Sequence, residues 1–227
     1  MAKELNIALK KLEEDRDVRV VIVKGAGKGF CAGIDLNELQ GKSMMEYHET
    51  VKLMEQMTIT ISKMGTPVIA SVHNVVVANG IGIVSSADLA IASQDAKFGA
   101  TAVKVGLFCM GPAVPLSRNI GRKKALELLL TGDLIDAAEA ERIGLVNKVV
   151  PRDKLEEETM KIARKIASYS PEGVQLGKKS FYEMIDLDYE KALELTNYHF
   201  AELCTTEDAQ EGISSFLNKK KPEWKYK

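Results

Sequence analysis

Short runs of apolar, β-branched residues alternate with segments of helical spacing through the first part of the sequence. The runs at 18–23, 68–72 and 88–92 are too short for a stable helix and carry few polar side chains. Strands that are apolar on both faces and separated by helices are typical of a parallel sheet covered by helices on both sides. The pattern therefore predicts an α/β core with parallel strands.

Helical segments separate the predicted strands and dominate the second half of the chain. A capping box formed by Ser43 and Glu46 opens a helix that is expected to run to about residue 64. Later helices are predicted at 122–130, 153–169, 189–204 and 206–217, with a short strand at 145–150. We expect residues 1–150 to form the α/β core and residues 151–227 to form a helical C-terminal region.

The balance of charge argues against two classes of partner. Lys and Arg number 31 and Asp and Glu number 32, so the formal net charge is −1. Such a chain has no long-range field that attracts nucleic acid or an anionic membrane. The longest apolar stretch, 75–92, is interrupted by Asn79 and Asp88, which indicates buried core rather than a membrane span.

The number and spacing of cysteines and histidines indicate whether disulfides or a metal site are expected. The three cysteines form no C-x-x-C pair, and the three histidines stand far apart. We therefore expect neither a disulfide framework nor a metal site, and free thiols favour a reducing compartment. The first residues lack the apolar centre of a secretory signal peptide. These features predict a cytoplasmic protein, with the mitochondrial matrix as the open alternative.

A glycine-rich loop at 25–33 follows the first predicted strand and raises the question of phosphate binding. A P-loop needs its lysine to be followed by Ser or Thr, but Gly29 follows Lys28 in this chain. The dinucleotide motif G-x-G-x-x-G fails as well, because Phe30 occupies its last glycine position. Nucleotide hydrolysis is therefore disfavoured.

The same loop contains the sequence G-F-C-A-G, which matches a nucleophile elbow with Cys31 as the nucleophile. An elbow nucleophile sits directly at a strand end, whereas seven residues separate Cys31 from Val23. The only histidine far downstream is His199, inside a predicted helix. A hydrolase acting through Cys31 stays open beside the alternative of a packed small thiol.

Two predicted helix starts carry glycines that expose backbone N–H groups. Gly33 precedes Ile34 and Asp35 at one of them, and Asn79 precedes Gly80 at the other. Each follows a predicted buried strand, so their free N–H groups could converge on one oxygen and stabilise an oxyanion or enolate. Spacing alone does not separate this arrangement from other α/β proteins.

Several segments resemble one known family. The sequence G-F-C-A-G-I-D-L at 29–36 resembles the F-x-A-G-x-D-L motif of the crotonase superfamily, the enoyl-CoA hydratase/isomerase family. The other segments that resemble the family's motifs follow in order along the chain, at 66–72, 88–93, 96–98, 130–132, 137–140 and 144–151. Segments 105–109 and 216–224 resemble the subgroup called enoyl-CoA hydratase domain-containing proteins.

The resemblance implies a crotonase-like spiral of β-β-α units that binds an acyl-CoA thioester as substrate or ligand, with no other cofactor. It implies a trimer or a dimer of trimers, with residues 151–227 as the oligomerisation region. Family members usually carry a further strand and a CoA-holding loop ahead of the segment with which this chain begins. The oxyanion donors would be the backbone N–H groups of Ile34 and Asn79. The implied substrate-binding residues are Ala32, Gly33, Asp35 and Gly80.

Two departures from the family's pattern bear on activity. The positions of the two general acid/base glutamates fall on Gly82 and Ala102, which cannot transfer protons, so ordinary hydratase activity is expected to be negligible. Asn79 replaces the middle glycine of the family's turn. Cys109 lies near the position at which some family members carry a catalytic carboxylate and is a weak catalytic candidate. A lyase or isomerase acting through an enolate and a non-catalytic acyl-CoA binder or scaffold both stay open.

Overall fold

The computed structural model describes residues 1–225. Its strands are β1 (Val21–Lys24), β2 (Val68–Val72), β3 (Val75–Val77), β4 (Leu89–Ser93), β5 (Lys97–Gly99), β6 (Ile135–Asp136) and β7 (Lys148–Val150). Its α-helices are α1 (Ala2–Glu14), α2 (Met44–Lys63), α3 (Asn79–Ser86), α4 (Met110–Asn119), α5 (Arg122–Thr131), α6 (Ala137–Arg142), α7 (Leu155–Ala167), α8 (Pro171–Met184), α9 (Tyr189–Cys204) and α10 (Glu207–Leu217). Short 3₁₀ turns occupy Leu36–Leu39, Thr101–Val105 and Arg152–Lys154.

The strands form two sheets. The first is parallel throughout and has the order β1-β2-β4-β7. In the second, of order β3-β5-β6, β3 and β5 are parallel and β6 is antiparallel. The pairs β2–β3 and β4–β5 each give one strand to each sheet before the chain turns into helix, so the backbone winds as a spiral. The predicted α/β core with parallel strands is confirmed.

Helices cover both faces of the parallel sheet. All five residues of β2 are buried, which explains why this run has no polar face. The main core cluster joins Ala70 and Ala90 of the parallel sheet to Phe98 of the second sheet and to α3–α6. On the opposite face α7 packs Leu155 and Ala163 against the sheet. The sheet is therefore enclosed partly by the helical C-terminal region.

Several element boundaries differ from the sequence expectations. The first strand begins at residue 21 rather than 18, and the last begins at residue 148 rather than 145. The segment expected to lead into a turn at 75–77 is strand β3, because it pairs in parallel with β5. The helix expected near Asp35 is a single 3₁₀ turn, in which the Asp35 side chain accepts from the Asn37 N–H.

A buried ion pair attaches α8 to the start of β4. Asp88 Oδ2 lies 2.7 Å from Lys178 Nζ, and the Asp88 carboxylate also accepts from the Val68 N–H and the Tyr182 hydroxyl. Lys178 donates a second hydrogen bond to the Thr66 carbonyl. Burial lowers the pKa of Lys178, and the neighbouring Asp88 charge opposes that shift. Burial and the same carboxylate raise the pKa of Tyr182.

Across residues 1–225, no helix combines the length and apolar character needed to cross a membrane.

Candidate functional site

The site is built where two loops pack backbone against backbone. The Cys31 N–H donates to the Val75 carbonyl at 3.1 Å, and the Cys31 carbonyl accepts from the Val77 N–H at 3.0 Å, which places Cys31 beside β3. Gly80, in the first turn of α3, packs on the same segment, since a Cβ placed on it would lie 2.6 Å from the Cys31 oxygen. The loop at 31–35 and the start of α3 are therefore held together by a contact that only glycine permits.

Gly33 makes the second close approach. Its φ is +94°, in the region that favours glycine, and a Cβ placed on it would lie 2.7 Å from the Ala78 Cβ and 3.7 Å from the Asn79 nitrogen. Gly33 thus brings the peptide that carries the Ile34 N–H next to the start of α3.

The predicted oxyanion donors have no competing partners. Asn79 is the first residue of α3, where backbone N–H groups lack an acceptor within the helix. Ala78 precedes it with a φ of +51° and donates its own N–H to the Gly99 carbonyl. Neither the Asn79 N–H nor the Ile34 N–H donates to another group in the part of the chain that the structure describes. Both are free to bind an oxygen of a ligand.

Ile34 and Asn79, the residues that carry the predicted donors, both line one cavity of about 360 Å³. This volume lies within the ~300–1,000 Å³ range of small-molecule sites. Four lining residues come from α2, and the full lining consists of residues 1–3, Cys31, Gly33, Ile34, Asp35, Glu38, Thr50, Leu53, Met54, Met57, Asn79 and Ile83. Most of the lining is apolar, and Asp35 and Glu38 contribute carboxylates to it.

Two of the four predicted substrate-binding residues line the cavity. Gly33 and Asp35 line the cavity, whereas Ala32 is exposed beside it and Gly80 is buried under Cys31. Asn79 also lines the cavity. These placements leave the substrate-binding roles as predictions.

Gly82 and Ala102, the positions to which the resemblance assigns the family's glutamates, lie outside the cavity lining. Gly82 is buried in α3, and a Cβ placed on it would lie 3.2 Å from three atoms of Pro112 in α4. Ala102, in the 3₁₀ turn after β5, packs half-buried against the main core. A side chain at position 82 would therefore approach the first turn of α4.

The two candidate catalytic thiols, Cys109 and Cys31, lie in different environments. Cys109 is 5% exposed, and burial raises the pKa of its thiol, which disfavours a nucleophilic thiolate. Cys31 lines the cavity, but none of the three histidines forms a hydrogen bond with it within residues 1–225. His73 is buried, with its Nε2 at 3.1 Å from the Gly27 carbonyl oxygen. No base is positioned to activate either thiol among these residues.

Sequence reasoning missed the carboxylate of Glu55, which does not line the cavity but adjoins the lining residue Met54. Glu55 of α2 lies against Gly111 in the first turn of α4, so closely that a Cβ at position 111 would collide with its carboxylate. Burial raises the pKa of Glu55. Its carboxylate has no hydrogen bond or ion pair in residues 1–225. No sequence signal distinguishes Glu55, because a glutamate in an amphipathic helix is ordinarily solvated.

The spiral of β-β-α units with a helical C-terminal region is the crotonase fold. A model of the enoyl-CoA hydratase/isomerase family matches residues 1–227, and the chain belongs to that family. It is 40% identical to enoyl-CoA hydratase domain-containing protein 3, mitochondrial, from Rattus norvegicus, over 100% of this chain and 76% of that protein.

Solved structures give the same relationship. The chain is similar to an enoyl-CoA hydratase from Mycobacterium smegmatis, with a TM-score of 0.95 and 40% identity over 99% of this chain and 88% of the other. It is similar to human enoyl-CoA hydratase domain-containing protein 3, with a TM-score of 0.90 and 41% identity over 96% and 90% of the two chains. These similarities support the resemblance to the domain-containing subgroup.

Proposed function

We propose that the protein binds an acyl-CoA thioester in the 360 Å³ cavity, with the thioester carbonyl oxygen between the N–H groups of Ile34 and Asn79. The observation that supports the proposal is that Ile34 and Asn79 line one cavity and that their N–H groups have no partner in the described residues. Backbone donors aimed at a carbonyl oxygen stabilise the negative charge that develops there. The apolar side chains that α2 contributes to the cavity suit an acyl chain.

The chemistry that such a site supports is enolate formation. Two N–H groups hold the enolate oxygen, and a base must remove the proton from the carbon beside the thioester. Gly82 and Ala102 supply no base, which favours the non-catalytic binder or scaffold as the second candidate. The free donors favour a lyase or isomerase. The hydrolase acting through Cys31 has no positioned base to support it.

Titration with acyl-CoA thioesters tests the binding proposal. We expect calorimetry to show saturable binding of butyryl-CoA by the wild-type chain. Gly33→Ala is expected to weaken it at least about tenfold, because its Cβ would crowd Ala78 and misalign two hydrogen bonds worth about 1 kcal/mol each.

The matched control is Gly41→Ala. Gly41 has a φ of +72°, so alanine there carries similar backbone strain, but its Cβ would contact nothing. We expect this variant to bind as the wild type does, with both variants checked for folding by thermal unfolding. No binding by the wild-type chain, or equal affinity in both variants, would contradict the proposed binding mode.

We also propose that the protein is a trimer or a dimer of trimers. The C-terminal helices α9 and α10 expose Tyr189, Tyr198, Phe200 and Phe216, the last 84% accessible. Apolar side chains exposed together in this way mark interaction surfaces. Sedimentation at micromolar concentration should give at least three times the chain mass of 24.9 kDa. A stable species of one chain mass would contradict this prediction.

The proposed partners are limited to an acyl-CoA and further copies of the chain, without nucleic acid, membrane or another cofactor. The rat relative is named mitochondrial. Together with the expectation of a reducing compartment, this makes the mitochondrial matrix as suitable a location as the cytoplasm.

A further inference from the structure

Glu55 occupies an unusual position for a glutamate. Its carboxylate rests on the backbone of Gly111, a contact that is possible only because position 111 has no side chain. The group is half-buried, and within residues 1–225 it accepts no hydrogen bond and pairs with no cation. A half-buried carboxylate without a partner costs folding free energy. Stability alone therefore does not account for it.

Stabilisation of α4 is the simplest structural explanation. Gly111 lies in the first turn of this helix, where a negative charge interacts favourably with the helix dipole. However, no N–H of that turn donates to the Glu55 carboxylate, and burial raises its pKa instead of lowering it. A carboxylate acting as a helix cap would have its pKa lowered by those donors.

Glu55 lies at the same turn of α4 that a side chain at position 82 would approach. A side chain at position 82 would project from α3 onto Pro112, and Glu55 projects from α2 onto Gly111, the preceding residue of the same turn. Met54 and Ile83, which adjoin Glu55 and Gly82 in sequence, both line the thioester cavity. A carboxylate is therefore present at the turn of α4 toward which position 82 points, but it comes from a different helix.

We propose that Glu55 transfers the proton at the carbon beside the thioester, in place of the carboxylates absent at positions 82 and 102. This assignment rests on the proposed acyl-CoA binding. The carboxylate accepts the proton, and the electron pair of the broken C–H bond forms the carbon–carbon double bond of the enolate. The enolate oxygen is held by the N–H groups of Ile34 and Asn79. Return of a proton from Glu55 restores the thioester, so that no water molecule is added and one carboxylate suffices.

Hydrogen–deuterium exchange of butyryl-CoA measures this step directly. In D₂O, we expect wild-type protein to replace the hydrogens beside the thioester with deuterium, as followed by proton NMR of the ligand. Glu55→Gln should slow the exchange at least about 100-fold, the lower bound for losing a positioned acid/base group. Binding of butyryl-CoA in calorimetry should change less than about threefold, because the amide has the same shape.

Three further variants separate proton transfer from a structural role. Gly111→Ala retains Glu55 but places a Cβ where its carboxylate lies, and should also slow exchange. Glu49→Gln, on the exposed side of α2, should exchange at the wild-type rate. Glu38→Gln tests a carboxylate that lines the cavity itself. Glu55→Gln should unfold at the same or a higher temperature than the wild type at neutral pH, because it removes a partly buried charge.

The outcomes are distinct. Loss of exchange in Glu55→Gln with retained binding supports the assignment. Wild-type protein that binds butyryl-CoA without exchange, unchanged exchange in Glu55→Gln, or loss confined to Glu38→Gln overturns the assignment and leaves the binding proposal intact. Absence of binding by the wild type overturns both.

Discussion

Hydration of crotonyl-CoA by this protein is expected to be at least about 100-fold slower than the ~10 s⁻¹ turnover of an ordinary enzyme. The resemblance to the family implies that its two acid/base glutamates correspond to Gly82 and Ala102, and neither of these residues can activate water. A carboxylate at Glu55 transfers a proton but leaves the second group of the hydration reaction missing. Loss of the ultraviolet absorbance of the conjugated thioester measures the rate, with a hydratase that has both glutamates as positive control.

A matched pair of variants attributes the slow rate to the missing carboxylates. Glutamates at positions 82 and 102 are introduced together with Pro112→Ala, because Pro112 occupies the space next to the Gly82 backbone. The control carries glutamines at the same two positions and the same Pro112→Ala change. We expect faster hydration only in the glutamate variant. A wild-type rate within tenfold of ~10 s⁻¹, or equal rates in the two variants, would contradict the explanation.

Asp88→Asn is expected to lower the free energy of unfolding by about 3–5 kcal/mol, the usual cost of leaving one partner of a buried ion pair alone. The side chains of Asp88 and Lys178 are only 16% and 8% exposed, so water compensates poorly for the lost partner. The neutral amide removes the negative charge that lies against the Lys178 ammonium, which keeps its hydrogen bond to the Thr66 carbonyl. Urea unfolding with a constant dependence on denaturant measures the change.

Two further variants define this effect. Combining Asp88→Asn with Lys178→Met removes both charges and should recover part of the loss. Lys191→Met, which removes an exposed ion pair with Asp188, should cost less than about 1 kcal/mol. If Asp88→Asn lowers the free energy of unfolding by no more than Lys191→Met does, the ion pair between Asp88 and Lys178 does not stabilise the packing of α8 against the sheet.

Local patterns predicted the regular elements well. The capping box at Ser43 was confirmed, with its side chain accepting from the Glu46 N–H. The predicted bounds of β2 and α9 match the structure at both ends. Both cases rest on signals carried by neighbouring residues, which are a β-branched run and a capping side chain followed by helical spacing.

Elements that depend on a distant partner were predicted less well. The segment Val75–Val77 is a strand because Lys97–Gly99 pairs with it, and its own three residues are too few to indicate a strand. The prediction that Ile34 and Asn79 contribute to one site came from the family resemblance and two helix starts. Their approach to one cavity depends on Gly33 and Gly80, whose contacts are with residues far along the chain.

The sequence by itself determined the α/β class, several of the helices and the absence of glutamates at positions 82 and 102, because these follow from residue type and local spacing. Only the tertiary structure decided that Asp88 pairs with Lys178 and that Glu55 meets Gly111. The spacing of apolar residues along a helix predicts which face is apolar, but not which neighbour a polar side chain will contact. That choice depends on how α2, α4 and α8 pack around the sheet, and packing is a property of the whole fold.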